Sequence, residues 1–359
     1  MAKKIRVGII GVGNCFSGLI QGIEYYKKNR AKEPIGLMHP KIGAYSFEDI
    51  EFVSAFDVGA NKIGQTLDKA VFASPNLVKW TKLSKSKVIV GESPVLDGVG
   101  FYVENKIKPL AKSTPIDILE KQIVAEIKKS KTEILVNYLP VGSQKASEFW
   151  AEIALKTGCA FVNCLPAFIA SKEDWAKRFK DKRIPIIGDD IKGQIGATIV
   201  HRVLARLCDD RGATIDKTYQ INVGGNTDFL NMLERTRLES KKISKTQAVT
   251  SQISKDIHAD KVYIGPSDFI PFLGNTKLAF IRIEGRMFAD IPYSLELRLD
   301  VDDKSNSAGV VIDAIRCAKL ALDRKLGGYQ EVSSYFMKHP LVQETDSDAK
   351  QIVEAFIKN

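Results

Sequence analysis

The stretch "IRVGIIGVGNCFSGLIQGIEYYKK" (residues 5–28) decides how this chain folds. Its first six residues, "IRVGII", form a compact, largely β-branched run of the kind a parallel strand covered on both faces requires. The run passes directly into Gly11 and Gly13. A helical pattern follows, with Phe16, Leu19, Ile20 and Ile23 on one side. Strand, glycine turn and helix in this order open a dinucleotide-binding βαβ unit. Gly11 allows the tight turn, and Gly13 lets the backbone approach a pyrophosphate. The helix N-terminus, at Asn14 and Cys15, offers free N–H groups and a positive dipole. The strict fingerprint has a third glycine where this chain has Phe16, and Gly18 comes two places late. A plain tight turn between strand and helix is the alternative.

Outward from the turn, "EFVSAFDV" (51–58), "SKVIVG" (86–91), "TEILVNYLP" (132–140), "CAFVNCLP" (159–166) and "RIPIIGDD" (183–190) read as further strands. Most are separated by helical segments such as "PIDILEKQIVAEIKKS" and "SQKASEFWAEIALKTG". This alternation predicts an α/β fold with a doubly wound, Rossmann-type parallel sheet. Asp57 closes the second strand, where a carboxylate can bind the adenosine ribose hydroxyls and repel a 2′-phosphate, which favours NAD over NADP. It lies farther from Gly13 than the usual roughly 20 residues. The loop-like "NRAKEPIGLMHPKIGAYSFED" (29–49) accounts for the distance, and a cap or turn role is the alternative for this aspartate. Ligands of such sheets sit outside the carboxyl ends of the strands. Tyr138 and Leu139 in "NYLPVGS" and Asp189, Asp190 and Lys192 in "IIGDDIKGQIG" are therefore expected on the nicotinamide side. Either aspartate could instead cap the next helix.

Beyond Asp190 the texture changes. "TYQINVGGNTDF", "DKVYIGPSDFIPFLGN", "KLAFIRIEGRMF" and "YSLELRLDVDD" alternate with period two and are separated by turn residues. They predict an inserted α+β region with an open, largely antiparallel sheet. A long helix from about Ser305 to Asp323 then packs back on the first part. The expected division is 1–200 for the NAD-binding domain, 201–304 for an α+β catalytic and oligomerisation domain, and 305–359 for a returning helix and tail.

The formal charge is +10, with 53 Lys+Arg against 43 Asp+Glu. That balance favours anionic partners. Basic and acidic residues are interleaved, so a phosphorylated small molecule fits better than nucleic acid. No apolar run near the start has the length of a signal peptide or membrane span, and a cytoplasmic protein is expected. The five cysteines include no CxxC pair, and the four histidines no metal-ligand spacing. Reduced thiols are expected, and His201 and Cys208 read as helix packing or surface positions. An oxygen-ligated divalent metal ion stays open.

The densest polar cluster is "FLNMLERTRLESKKISKTQAVTS" (229–251). On a helix Lys241 and Lys245 share one face while Lys242 points elsewhere, at a repulsive cost of roughly 0.2–0.5 kcal/mol. A solvated face is the ordinary reading. A dianionic phosphate between the lysines would reverse the sign. Lys277 could be an edge-strand lysine and Lys338 an exposed tail residue. Asp302 and Asp303 could be a turn before a helix capped by Ser305.

Together, "VGNC" with "QGIEYY", "NYLPVGS", "GDDIKGQIGAT", "GGNTDFLNM", "SKKISKT" and "NSAGVVIDAIR" resemble the myo-inositol-1-phosphate synthase family in its shorter archaeal and actinobacterial form, over nearly the whole chain. The resemblance implies an isomerase that makes an inositol phosphate from D-glucose 6-phosphate. Tightly bound NAD oxidises C5, enolisation and intramolecular aldol closure follow, and the cofactor is regenerated. It also implies a homotetramer with the second sheet buried between subunits, while relatives differ in their cation requirement. By this resemblance the active-site lysines fall on Lys241, Lys245, Lys277 and Lys338, and their acidic partners on Asp190, Asp228 and Asp303. Asn226 lies near the nicotinamide or substrate. Lys241 would handle the C5 hydroxyl proton. Lys245 and Lys277 would stabilise oxyanions, Lys338 would hold phosphate or close the site, and Asp303 would orient a lysine. One departure is Gly193, after Lys192, where the family often has serine. Two other functions remain open: an NAD-dependent dehydrogenase with net redox turnover, and a non-catalytic NAD or phosphosugar sensor.

Overall fold

The computed structural model describes residues 4–30, 33–254 and 257–358. Within them the strands are β1 (Ile5–Ile10), β2 (Ile50–Asp57), β3 (Val90–Glu92), β4 (Ile134–Asn137), β5 (Ala160–Asn163), β6 (Pro185–Ile187), β7 (Lys217–Gly224), β8 (Val262–Phe269), β9 (Thr276–Arg286), β10 (Pro292–Asp302) and β11 (Gly328–Tyr329). The helices are α1 (Asn14–Lys28), α2 (Leu67–Ala70), α3 (Ile116–Lys129), α4 (Gln144–Thr157), α5 (Glu173–Asp181), α6 (Ala197–Asp210), α7 (Thr227–Asn231), α8 (Glu239–Thr250), α9 (Asp303–Asp323), α10 (Ser333–Phe336) and α11 (Asp346–Lys358).

The first sheet has the order β11-β6-β5-β4-β1-β2-β3, and its paired strands all run parallel. Its order reverses at β1, an interior strand, where β4 and β2 flank the glycine turn. That is the switch point at which a crevice opens beyond the strand ends. Strand side chains alternate between faces, so Val7 and Ile9 join the apolar cluster containing Phe16 and Leu19 of α1 and much of α9. Ile10 joins the opposite cluster, with Ile123 of α3 and Trp150 of α4. Helix α9 is buried along most of its length, its charged Asp313, Arg316 and Lys319 being held by ion pairs. Its start differs from the expected Ser305: the Asp302 side chain accepts from Lys304 N and Ser305 N, so the cap lies earlier and Asp303 and Lys304 sit in the first turn.

The second sheet has the order β10-β9-β7-β8. β9 pairs antiparallel with β7 and β10, whereas β7 and β8 are parallel because α7 and α8 form a crossover between them. Helices α6 and α8 cover one face, packing Ala205 and Val249 against Ile264, Ile281 and Ile283. His201 of α6 is neither superficial nor simply packed: it is fully buried, with Nε2 2.8 Å from Thr218 Oγ1, and burial pulls its pKa down to about 4. A folded pKa below the unfolded ~6.5 means stability is present above that value and lost as pH falls towards 4. The loss expected from this group is about 3 kcal/mol. Denaturant titrations of wild type and His201→Gln between pH 7 and 4.5 check it, the variant losing less.

Candidate active site

Gly11 sits at φ +90°, a conformation open to glycine, and its N–H donates to Phe56 O at 2.8 Å. Asp57 accepts from Val12 N at 2.7 Å and Gly59 N at 2.8 Å, and Lys62 Nζ lies 3.5 Å away. The carboxylate therefore pins the turn as well as lining the cavity beyond it. A Cβ on Gly13 would meet nothing within 4 Å, so the chain leaves open space where the turn faces the cavity. Phe16 needs no glycine substitute because its ring enters the core, edge-on to Phe52. The late Gly18 serves a different contact: a Cβ there would lie 3.3 Å from Lys304 Cβ, so this glycine lets α9 approach α1.

From this turn one continuous cavity runs to the lysine cluster. Gly11, Gly13, Asn14, Cys15, Asp57, Tyr138, Leu139, Asp190 and Asn226 line it, as do Asp228, Lys241, Lys245, Lys277, Asp303 and Lys338. Two expected residues do not face it. Asp189 turns its carboxylate into the 169–171 loop, accepting from Asn163 Nδ2 and from the N–H groups of Ile169, Ala170 and Ser171. Burial nevertheless raises its pKa to about 6. Lys192 points the other way, donating to Ser334 O at 2.7 Å and pairing with Asp346 at 3.3 Å, with burial lowering its pKa to about 7. Both are structural groups behind the wall, which corrects the expectation that they line the nicotinamide side. Gly193 also has a packing cause, since a Cβ would come within 3.0 Å of Asn306.

The lysines are held by distant elements. Helix α8 places Lys241 3.4 Å from Asp228 and presents the buried Lys245 one turn later, while Lys242 is exposed. Asp190 binds three ways, accepting from Lys338 Nζ at 2.8 Å and from Ser244 Oγ at 2.7 Å, and attracting Lys241. Asp303 pairs with Lys277 at 3.4 Å and with Lys304 at 2.9 Å. Lys304 and Ser244 are site residues that patterning did not single out. Lys304 was hidden by the later expected start of α9, and the i+3 spacing of Ser244 from Lys241 was the available clue for the other.

Environment divides the amines. Burial works against the charged form of Lys241, but Asp228, Asp190 and Asp303 outweigh it and raise its pKa. Lys245 is buried without an ion pair among the described residues. Desolvation and then Lys241, Lys277 and Lys338 push its pKa well below the ordinary lysine value. For Asp303, burial is outweighed by Lys304 and Lys277, which hold the carboxylate well below its usual range. Among the described residues, no three His, Cys, Asp or Glu side chains group as a protein-built metal site requires, and no helix is long and apolar enough to cross a membrane.

The model of the myo-inositol-1-phosphate synthase family matches residues 196–304, the segment carrying Asn226, Lys241, Lys245, Lys277 and Asp303. The inositol-3-phosphate synthase of Mycolicibacterium smegmatis is 50% identical over 99% of each chain. The chain belongs to the inositol-3-phosphate synthase family. The synthase of Corynebacterium glutamicum is 51% identical over 99% of this chain and 98% of its own. A solved myo-inositol-1-phosphate synthase-related protein from Thermotoga maritima superposes with a TM-score of 0.84 at 25% identity, covering 99% of this chain and 98% of that one. Membership of this synthase family and the Rossmann-like sheet agree.

Proposed function

We propose that this chain converts D-glucose 6-phosphate to 1D-myo-inositol 3-phosphate, using bound NAD without net redox change. The observation that carries the proposal is a single cavity joining a glycine turn to one unpaired lysine, Lys245, among ion-paired ones. The residues at the turn fit a dinucleotide. Gly13 faces open space, and Asn226 Nδ2 and Tyr138 Oη are buried with no partner among the described residues. NAD held by these residues would supply reversible hydride transfer with no net redox change. The side chains manage protons and charge. Lys245, favouring the neutral amine, accepts a proton from the substrate. Lys241 and Lys277, each paired with a carboxylate, face the oxygens on which negative charge develops. This exchanges the roles the resemblance suggested for Lys241 and Lys245. Lys338 spends two donors on Asp190 and Ile191 O, leaving a third for the phosphate.

Incubation with glucose 6-phosphate and NAD, with product identified by NMR after phosphatase treatment, tests the reading. A cyclic polyol without accumulating NADH is expected. Steady NADH accumulation would instead make the chain a net dehydrogenase.

A cytoplasmic homotetramer belongs to the same proposal. Ile221 stands opposite Phe280, and Tyr219 opposite Tyr263, on the sheet face that α6 and α8 leave uncovered. Ile221, Phe280 and Tyr263 are all exposed, which marks a surface to be covered by another chain. Phe280→Asp should shift the mass measured by light scattering towards smaller species; an unchanged mass would remove this face from the interface.

A further inference from the structure

Lys304 is almost completely buried, and the carboxylate it pairs with also pairs with a second lysine. Its ammonium donates to Asp303 Oδ2 at 2.9 Å, but the other oxygen of that carboxylate faces Lys277 at 3.4 Å. One negative charge is thus shared by two cations. On its other side Lys304 Nζ reaches Cys15 Sγ at 3.6 Å, a contact spanning 289 residues of sequence. Cys15 lies in the first turn of α1, a helix of 15 residues whose N-terminus has no side-chain cap and no acidic residue in its first turn. The neighbouring end of α9 is already balanced by Asp302 and Asp303. Positive character therefore gathers at the glycine turn, from the α1 dipole and from the Lys304 ammonium, which Asp303 and Asp228 hold charged. A second observation points the same way: Asn226 Nδ2, on the wall of the same cavity, is buried and without a partner among the described residues.

We infer that Lys304 is a cofactor-binding residue, supplying from α9 the positive charge that holds the pyrophosphate of the dinucleotide at the α1 glycine turn. The inference rests on the NAD reading above. A turn with Phe16 at the third fingerprint position presents backbone N–H groups and a dipole, and Lys304 adds the full charge that neither provides. Its position beside Asp303 also links the cofactor end of the cavity to the lysine end.

The test uses nucleotide-free full-length protein in EDTA, with ADP-ribose and adenosine as probes, titrated by calorimetry and ligand-observed NMR. Charge-assisted hydrogen bonds to phosphate are strong, so Lys304→Met should weaken ADP-ribose binding by about tenfold or more. Adenosine, which lacks the pyrophosphate, should bind within about twofold of wild type, and Lys304→Arg should recover most of the loss. Asp303 keeps Lys277 in the Met variant, so the fold is expected to hold, as checked by circular dichroism. Lys304→Gln gives a second neutral side chain. Unchanged ADP-ribose affinity in both neutral variants would overturn the inference. An equal loss of adenosine and ADP-ribose would also overturn it, reducing Lys304 to a structural role. If wild type binds neither NAD nor ADP-ribose, the NAD reading itself fails, an outcome distinguishable from both.

Discussion

Lys245→Met is expected to lower kcat by about a thousandfold, the scale of a lost general base, while leaving the protein at least as stable as wild type. The two halves share one cause. Burial and three neighbouring ammonium groups depress the Lys245 pKa, so the folded protein favours the neutral amine where the unfolded chain carries a cation. For a depressed pKa, stability is fully present above the unfolded value and lost as pH falls through the folded one. At neutral pH Lys245 therefore works against the unliganded fold, and replacing it with an apolar side chain of similar length relieves that strain. Activity in wild type should rise with pH through this titration, and the rise should disappear in the residual activity of the variant. Thermal melts and kcat-pH profiles measured together check the assignment. A variant that is inactive because it is unfolded, or one with an unaltered acid limb, would exclude Lys245 as the base.

Asp190→Asn isolates charge from shape. Asp190 sits at φ +62°, a region asparagine enters readily, and the amide retains an oxygen to accept from Ser244. What is lost is the anion facing Lys338 at 2.8 Å and stabilising Lys241. Removing one partner of a buried pair leaves an uncompensated charge and costs about 3 kcal/mol. Chemical denaturation should show that loss, with kcat reduced at least a hundredfold. Millimolar inorganic phosphate should restore more stability to the variant than it adds to wild type, because an anion among the lysines replaces the missing charge. Equal stabilisation of both proteins would mean that Asp190 does not neutralise the cluster.

The glycine turn and the strand-helix alternation were legible because local rules govern both: β-branched runs, a turn that needs a positive φ, and apolar spacing on a helix face. The separation of Lys241 and Lys245 from Lys242 was legible for the same reason, since helix periodicity alone puts the first two on one side. The failures came where direction or tertiary contact decides. Asp189, Asp190 and Lys192 follow one strand, but only Asp190 faces the cavity; the destination of Asp189 is the backbone of residues 169–171, which no local pattern reveals. Period-two alternation marked the strands of the second sheet without showing that β7 and β8 run parallel. No local pattern marks Lys304, because its place in the site depends on α1 and α9 converging through Gly18, an approach between segments far apart in the chain.

The most direct test of the central claim is to follow glucose 6-phosphate deuterated at C5 through turnover with unlabelled NAD. If the hydride is removed and returned within one active site, the inositol phosphate retains deuterium at the corresponding ring carbon and free NAD stays unlabelled. Loss of the label from a cyclic product, or its accumulation in free NADH, would contradict the account.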